Sequence, residues 1–249
     1  MSLSARWRAL RPGIAVGSAT NNHDFWGITF GRPSAFLVLV AIADIKWITP
    51  NILTHISNVF FLVGSLFILY DEHWAFIAAA VLINVALTFD CADGQLARYR
   101  QHSSALGAYY DKVTDVYSYL IMYPIIAWVC YQRTGESYYY LLAMGAACSR
   151  LVIGYLKWLV TDLFKSFATT RKVPGTGPMP GGWRFVVRMF LKIFEFRQPD
   201  MQLWLGLGLA INYPEVGLWI MGTTQTAIAV GTGIYYAYDI NATMKGKRR

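Results

Sequence analysis

The chain has 249 residues, of which 55% are hydrophobic and 16% aromatic, and it has a formal net charge of +8 at pH 7. These fractions exceed what soluble globular domains usually contain, so the composition indicates a membrane protein. Nucleic-acid binding is disfavoured because the positive charge is spread over many loops rather than gathered on one soluble domain.

The apolar segments predict an all-α integral membrane protein. A helix needs about 20 mostly apolar residues to cross the hydrocarbon core. Pro33 to Ile48 is apolar but contains Asp44 and Lys46, so we predict an amphipathic helix that lies in the membrane interface. After it, we predict six transmembrane helices over residues 50–70, 74–99, 105–130, 137–163, 199–213 and 215–238.

The basic residues predict the orientation of these helices. Nineteen of the 22 Lys and Arg residues lie before residue 50, at positions 98 and 100 around the end of the second span, from 157 to 197, or after 238. The loops on the opposite side contain only Arg133. Because cytoplasmic loops are enriched in Lys and Arg, both termini are predicted to be cytoplasmic.

We predict one transmembrane domain over residues 1–249, with an N-terminal cytoplasmic and interfacial segment at 1–48 and a cytoplasmic loop at 164–198. The loop begins with a Pro- and Gly-rich tract at 173–182 that cannot continue a helix. The basic pattern from Arg184 to Glu195 then predicts an amphipathic helix. Such a helix suits an anionic membrane surface or packing on the cytoplasmic ends of the spans.

Four acidic residues fall in or at the ends of the second and third spans, where ionisable side chains are costly and usually functional. They are Asp90, Asp93, Asp111 and Asp115. The members of each pair are three or four positions apart, so each pair shares one helix face. A short cytoplasmic connection makes the two helices antiparallel, and the two pairs are therefore expected to face each other near the cytoplasmic interface.

Four carboxylates in one cavity repel each other unless their charge is compensated. Two divalent cations would do so, and oxygen ligands favour Mg²⁺, Mn²⁺ or Ca²⁺ over Zn²⁺. Two such ions can hold the attacking and leaving oxygens of a displacement at phosphorus. The alternative is a set of buried ion pairs with nearby cations, namely Arg98, Arg100, Lys112 and Arg150.

The same residues resemble a known family motif. Asp90-Cys-Ala-Asp93-Gly94-Gln-Leu-Ala97-Arg98, then eight residues, Gly107, three residues, Asp111, three residues and Asp115 match every fixed position of the CDP-alcohol phosphotransferase motif. The six-span layout and the segment Thr49-Pro50-Asn51-Ile-Leu-Thr54 are also similar to that family. The resemblance therefore covers most of the chain and implies that the single domain is catalytic.

By this resemblance, Asp90, Asp93 and Asp111 would ligate two Mg²⁺ or Mn²⁺ ions, and Asp115 would act both as a ligand and as the general base. The resemblance implies a nucleotide-binding surface formed by Gly94, Ala97, Arg98, Gly107, Asn51 and Thr54. Arg98 would contact a phosphate or orient the metal site. The family also implies a homodimer. The distribution of Lys and Arg places the predicted active site on the cytoplasmic side of the membrane, with membrane lipids around the protein.

The expected reaction belongs to phospholipid biosynthesis. A substituted phosphate group would pass from a CDP-linked donor, CDP-diacylglycerol in our leading hypothesis, to the hydroxyl of a small polar alcohol, and CMP would leave. The alternative pairs a CDP-choline or CDP-ethanolamine donor with a lipid alcohol. A cation transporter is a remote alternative because intramembrane acids also line ion paths, but here they occupy only two adjacent helices near one surface.

Arg150 and Lys157 are candidates for binding a phosphorylated acceptor. They are seven positions apart and share one face of the fourth span. The alternative is that Lys157 extends along the helix to the interface and that Arg150 pairs with a motif aspartate.

Overall fold

The computed structural model describes residues 24–101, 105–163, 183 and 198–246. The regular elements within these ranges are all helical. A π-helical turn at Gly27–Gly31 leads into the first α-helix, and a 3₁₀ turn at Ile68–Tyr70 extends the second. We number the α-helices α1 (Arg32–Ile42), α2 (Pro50–Phe67), α3 (His73–Tyr99), α4 (Ala105–Thr134), α5 (Tyr138–Leu163), α6 (Gln198–Ala210) and α7 (Pro214–Gly246).

Four segments of the described residues are long and apolar enough to cross a membrane: Pro50–Tyr70, His73–Tyr99, Ala105–Thr134 and Tyr138–Asp162. They coincide with the first four predicted spans, so the multi-pass helical architecture is confirmed. The fifth and sixth predicted spans are also helical. However, α6 has only 13 residues and α7, with 33 residues, is less apolar, so a six-span layout is not confirmed.

The predicted interfacial helix is shorter than expected. Its α-helical part ends at Ile42 rather than Ile48, and its first residues pack against α3. Gly31 allows this approach, because a Cβ atom there would lie 2.8 Å from the Cys91 sulfur. The location of α1 in a membrane interface stays a prediction, and the predicted amphipathic helix from Arg184 to Glu195 lies outside the described residues.

Local sequence sets the hairpin formed by α2 and α3. The Thr49 side chain caps α2 by accepting a hydrogen bond from the Ile52 amide at 3.3 Å, and Pro50 occupies the first helical position. Asp71 ends the segment with a left-handed backbone at φ 52°. His73 then begins α3, so two long helices are joined by a very short loop.

The core of the described residues lies among α2 to α7, and a smaller apolar cluster joins α1 to α2 and the end of α3. Small residues permit close helix packing, which stabilises helix pairs in lipid. A Cβ atom at Gly222 of α7 would lie 2.8 Å from the Leu142 Cβ of α5.

Helix α2 organises the site. It packs against both α3 and α4, whereas α3 and α4 are not among the closely packed helix pairs of the described residues. The two helices that carry the aspartates are therefore joined through α2. The space left between them is where the polar residues collect.

Candidate functional site

A small cleft brings the two aspartate-bearing helices to one place. Asp90 of α3 and Asp115 of α4 line it together with Ser57 and Asn58 of α2. Tyr119 of α4 and Gln202 of α6 also line it. We call this space, of about 20 Å³, the aspartate cleft. The structure thus brings one aspartate of each predicted pair to the same space from different helices, while the meeting of the two complete pairs stays a prediction.

Asp93, another motif aspartate of α3, forms a hydrogen bond with α2. Thr54, which is buried, donates a hydrogen bond from Oγ1 to Asp93 Oδ2 at 2.5 Å. Asn51 lies about one turn earlier on the same helix. The segment from Thr49 to Thr54 therefore begins α2, as predicted, and its last residue contacts a motif aspartate, while its predicted role in nucleotide binding stays a prediction.

Asp111, the remaining motif aspartate, lies in α4, but its side chain is outside the described set. Among the side chains that are described, no three His, Cys, Asp or Glu residues come close enough to hold a metal ion. The chemistry of the cleft nevertheless suits Mg²⁺ or Mn²⁺, because Asp90, Asp115 and Asn58 offer oxygen donors of the kind these ions prefer. The predicted metal set stays a prediction.

The surface near Gly94 is bounded by an arginine. A Cβ atom at Gly94 would lie 3.4 Å from one terminal nitrogen of Arg98 and 3.8 Å from the other. Ala97 is half-buried on the same stretch of α3, and Gly107 lies near the start of α4. The glycine thus leaves its backbone open next to a positive charge, an arrangement that suits a phosphate group.

Comparisons with known proteins identify the family of the chain. A family model described as CDP-alcohol phosphatidyltransferase matches residues 47–212, which is more than half of the chain. The chain belongs to this family. Its enzyme class is therefore that of the CDP-alcohol phosphotransferases.

Two individual proteins are similar to this phosphotransferase. The crystal structure of the phosphatidylinositol phosphate synthase of Mycobacterium tuberculosis, with CDP-DAG bound, has a TM-score of 0.55 and 17% sequence identity, and the match covers 81% of this chain and 90% of that one. The bifunctional IPC transferase and DIPP synthase of Thermococcus kodakarensis is 23% identical over 174 residues. That match covers 68% of this chain but only 38% of the curated relative.

Arg100 of the phosphotransferase has a structural use. Its guanidinium donates to the backbone carbonyls of Ile48 at 2.6 Å, Ala43 at 2.8 Å and Ile45 at 2.9 Å. These carbonyls belong to the turn after α1 and would otherwise need other donors. The alternative in which Arg100 neutralises a motif aspartate is therefore not supported, since its hydrogen bonds fix the end of α1 to α3.

The two predicted acceptor-binding cations differ in position. The Arg150 guanidinium carbon lies 5.5 Å from the centre of the Tyr119 ring, so this arginine stands behind one wall of the aspartate cleft. Lys157 is exposed and lies about two turns further along α5. The structure brings Arg150 into contact with a residue that lines the cleft.

Sequence reasoning missed five polar residues of the cleft, namely Ser57, Asn58, Ser118, Tyr119 and Gln202. Tyr119 follows Asp115 by four positions and so shares its helix face, which was a usable signal. Gln202 is a polar residue inside a predicted span, which is also unusual, but nothing in the sequence indicated that α6 would reach the cleft.

A second missed contact fixes the N-terminal segment. The Trp26 amide donates to the Asp200 carboxylate, and the Trp26 indole donates to the Asn84 side chain, both at 2.7 Å. These bonds tie the start of the described chain to α3 and α6. Buried Asp200 therefore has a structural partner far away in sequence.

Proposed function

We propose that this enzyme transfers a phosphatidyl group from a CDP-diacylglycerol-type donor to a hydroxyl of a small polar alcohol and releases CMP. The observation that carries the proposal is the aspartate cleft, where Asp90 of α3 and Asp115 of α4 line one space. Carboxylates on separate helices can serve one reacting centre only when they reach the same space. Membership of the family supplies the reaction class.

The proposed reaction is a displacement at the phosphorus that is distal to cytidine. The acceptor oxygen forms a new bond to that phosphorus, and the bond from phosphorus to the CMP oxygen breaks. Asp115 accepts the proton of the acceptor hydroxyl, so no other co-reactant is needed. General-base assistance of this kind contributes about 10²–10⁴-fold to the rate.

The remaining motif residues would bind the metal ions and the nucleotide or orient the residues that do so. Asp90, Asp93, Asp111 and Asp115 would hold two Mg²⁺ or Mn²⁺ ions, which neutralise the charge of the diphosphate when they are bound. Thr54 would keep Asp93 in position through its hydrogen bond. We assign the nucleotide surface to Gly94, Ala97, Arg98, Gly107 and Asn51.

The donor assignment draws support from the similar structure, which was solved with CDP-DAG bound. That protein is a phosphatidylinositol phosphate synthase, and its likeness to this chain favours a CDP-linked lipid over CDP-choline or CDP-ethanolamine. Arg150 stands next to the cleft and is the better of the two cations to receive a phosphate on the acceptor. We further propose a cytoplasmic active site and cytoplasmic termini from the distribution of Lys and Arg, and a homodimer from the family resemblance.

The test is a CMP-release assay on detergent-purified protein. The protein is incubated with CDP-diacylglycerol, Mg²⁺ or Mn²⁺, and one acceptor at a time from a panel of serine, glycerol 3-phosphate, inositol, inositol 1-phosphate and choline. We expect acceptor-dependent CMP release. Asp115→Asn should reduce it by about 10²–10⁴-fold because the general base is lost.

The matched control is Glu136→Gln, which makes the same carboxylate-to-amide change at an exposed position beyond the far end of α4. It should release CMP at the wild-type rate. Absence of CMP release from the wild type with every acceptor, together with release from a CDP-choline donor and a lipid alcohol, would replace our donor assignment. Metal-dependent ion flux into liposomes without any CMP release would instead favour the transporter alternative.

A further inference from the structure

Two residues that line the aspartate cleft each have a buried polar atom without a hydrogen-bond partner in the described part of the chain. These atoms are the Tyr119 hydroxyl and the Gln202 side-chain oxygen. Tyr119 is 3% exposed and Gln202 is 6% exposed, so bulk water does not satisfy either side chain. A buried polar atom without a partner destabilises the folded protein. Such atoms beside a cavity indicate a bound ligand that supplies their missing hydrogen bonds.

The size of the cleft limits what that ligand can be. Its volume of about 20 Å³ exceeds the roughly 10–15 Å³ that a single water-sized group requires. A hydroxyl group of a larger bound molecule is therefore small enough to enter the cleft beside these two residues.

One hydroxyl can satisfy both atoms. It donates its proton to the Gln202 carbonyl oxygen and accepts the proton of the Tyr119 hydroxyl. The hydroxyl that Asp115 deprotonates cannot do this, because its only proton goes to the carboxylate. The group that pairs with Tyr119 and Gln202 must therefore be a different hydroxyl.

We propose that Tyr119 and Gln202 recognise a second, non-reacting hydroxyl of the acceptor, so that the enzyme selects a polyol. This inference rests on the proposed function, because it assigns a specificity site next to the proposed general base. An ammonium group is a poorer occupant, since it has no lone pair to accept the Tyr119 proton. Arg150, which lies over the Tyr119 ring, also disfavours a cation there.

The test compares paired acceptors. CMP release from CDP-diacylglycerol is measured with glycerol 3-phosphate, inositol and inositol 1-phosphate, and with analogues of each that lack one hydroxyl beside the reacting one. Serine, ethanolamine and choline serve as acceptors with a single hydroxyl. The variants are Tyr119→Phe and Gln202→Met, which remove the polar atoms but keep the shape of the side chains. We expect each variant to lower kcat/KM for a polyol by about tenfold, the usual scale for one hydrogen bond.

The decisive result is that this loss disappears with the analogue that lacks the hydroxyl, since nothing then remains for the variant to lose. Tyr123→Phe is the matched control. Tyr123 is fully buried, lacks a hydroxyl partner among the described residues and stacks on Tyr119 with ring centres 5.8 Å apart, but it does not line the cleft. Its kcat/KM should equal that of the wild type.

Three results would overturn the inference. The first is an equal loss with the polyol and its analogue, which indicates a bound water or a structural role. The second is no loss in either variant, and the third is a wild-type enzyme that uses only acceptors with a single hydroxyl. Tyr119→Phe decides the matter if Gln202→Met fails to fold. Absence of CMP release from the wild type with every acceptor would reject the proposed function itself, and this is seen before any variant is made.

Discussion

Two polar clusters lie toward opposite ends of α4, and they are built in opposite ways. At one end, Arg133 pairs with Asp71 at 2.8 Å and Glu215 at 3.2 Å. It also donates to the Asn212 backbone and side-chain oxygens at 3.1 and 3.0 Å, and it lies over the Phe76 ring. At the other end, the aspartate cleft holds carboxylates together with a hydroxyl and an amide oxygen that have no partner among the described residues.

The difference separates structural polar groups from functional ones. We call Asp71, Arg133, Asn212 and Glu215 the Arg133 cluster. The arginine of this cluster donates its hydrogen bonds to other residues of the chain and links three inter-helix loops. A cluster of that kind stabilises the helices and needs no ligand. The aspartate cleft places negative charge and unpaired polar atoms around a small space, an arrangement that is costly unless a ligand completes it. Substitutions in the Arg133 cluster should therefore change the stability of the protein, and substitutions in the aspartate cleft should change its turnover.

The largest effect expected from the Arg133 cluster comes from Arg133→Ala. The change leaves the half-buried Glu215 carboxylate without its cation, so we expect the free energy of unfolding to fall by about 1–3 kcal/mol. The turnover of the protein that remains folded should not change. Thermal unfolding in detergent and CMP release on the same preparation measure the two quantities. Lys46→Ala, at an exposed cation, should shift stability by less than about 0.5 kcal/mol. A stable Arg133→Ala protein with low turnover would show that the Arg133 cluster is functional rather than structural.

Thr54→Val tests the cleft without removing a carboxylate. The substitution deletes the hydroxyl that donates to Asp93 but keeps the shape of the side chain. Partners of metal ligands typically contribute about 10–100-fold to metal affinity or activity, so we expect a loss of that size in CMP release at low Mg²⁺. Thr54→Ser restores the donor and should restore most of the activity. Equal activities of the valine and serine variants would show that Asp93 does not depend on this hydrogen bond.

The smallest expected effect is that of Asp71→Asn. Burial raises the pKa of the Asp71 carboxyl above its ordinary value, although the charge of Arg133 opposes the shift. The folded protein therefore binds this proton more tightly than the unfolded chain, and stability falls as pH rises through the range just above the ordinary pKa. The asparagine variant tolerates the left-handed backbone and lacks this decline. The free energy of unfolding is measured at pH 4 and at pH 7 for both proteins. Its change between the two pH values should differ by less than about 0.5 kcal/mol between wild type and variant. A wild-type protein that gains stability over this pH range, relative to the variant, would contradict the shift.

Much of the fold follows from local sequence. The bounds of α2 to α5 agree with the apolar runs within a few residues because each run is long and is bounded by a cap or a turn, such as Thr49-Pro50 before α2. Helix α7 continues to Gly246 rather than ending at 238, because a polar tail can stay helical after its apolar stretch ends. Apolar content predicts where a helix lies in the membrane, but it does not predict where the helix ends.

The site was predictable only where its residues are close in sequence. Spacing placed Asp90 and Asp93 on one face of α3, and Asp111 and Asp115 on one face of α4. The role of α2 in joining these helices and the approach of Gln202 from α6 depend on packing between distant segments, which no local pattern encodes. Long-range packing is therefore what the structure adds to the motif.

The most direct test of the account is a double-mutant cycle on Asp90 and Asp115. The central claim is that carboxylates from two different helices serve one reacting centre. Residues that act as a unit are strongly non-additive, so the Asp90→Asn, Asp115→Asn double variant should release CMP about as slowly as the slower of the two single variants. If the fold-losses of the single variants multiply in the double variant, the two aspartates act independently and the claim is wrong.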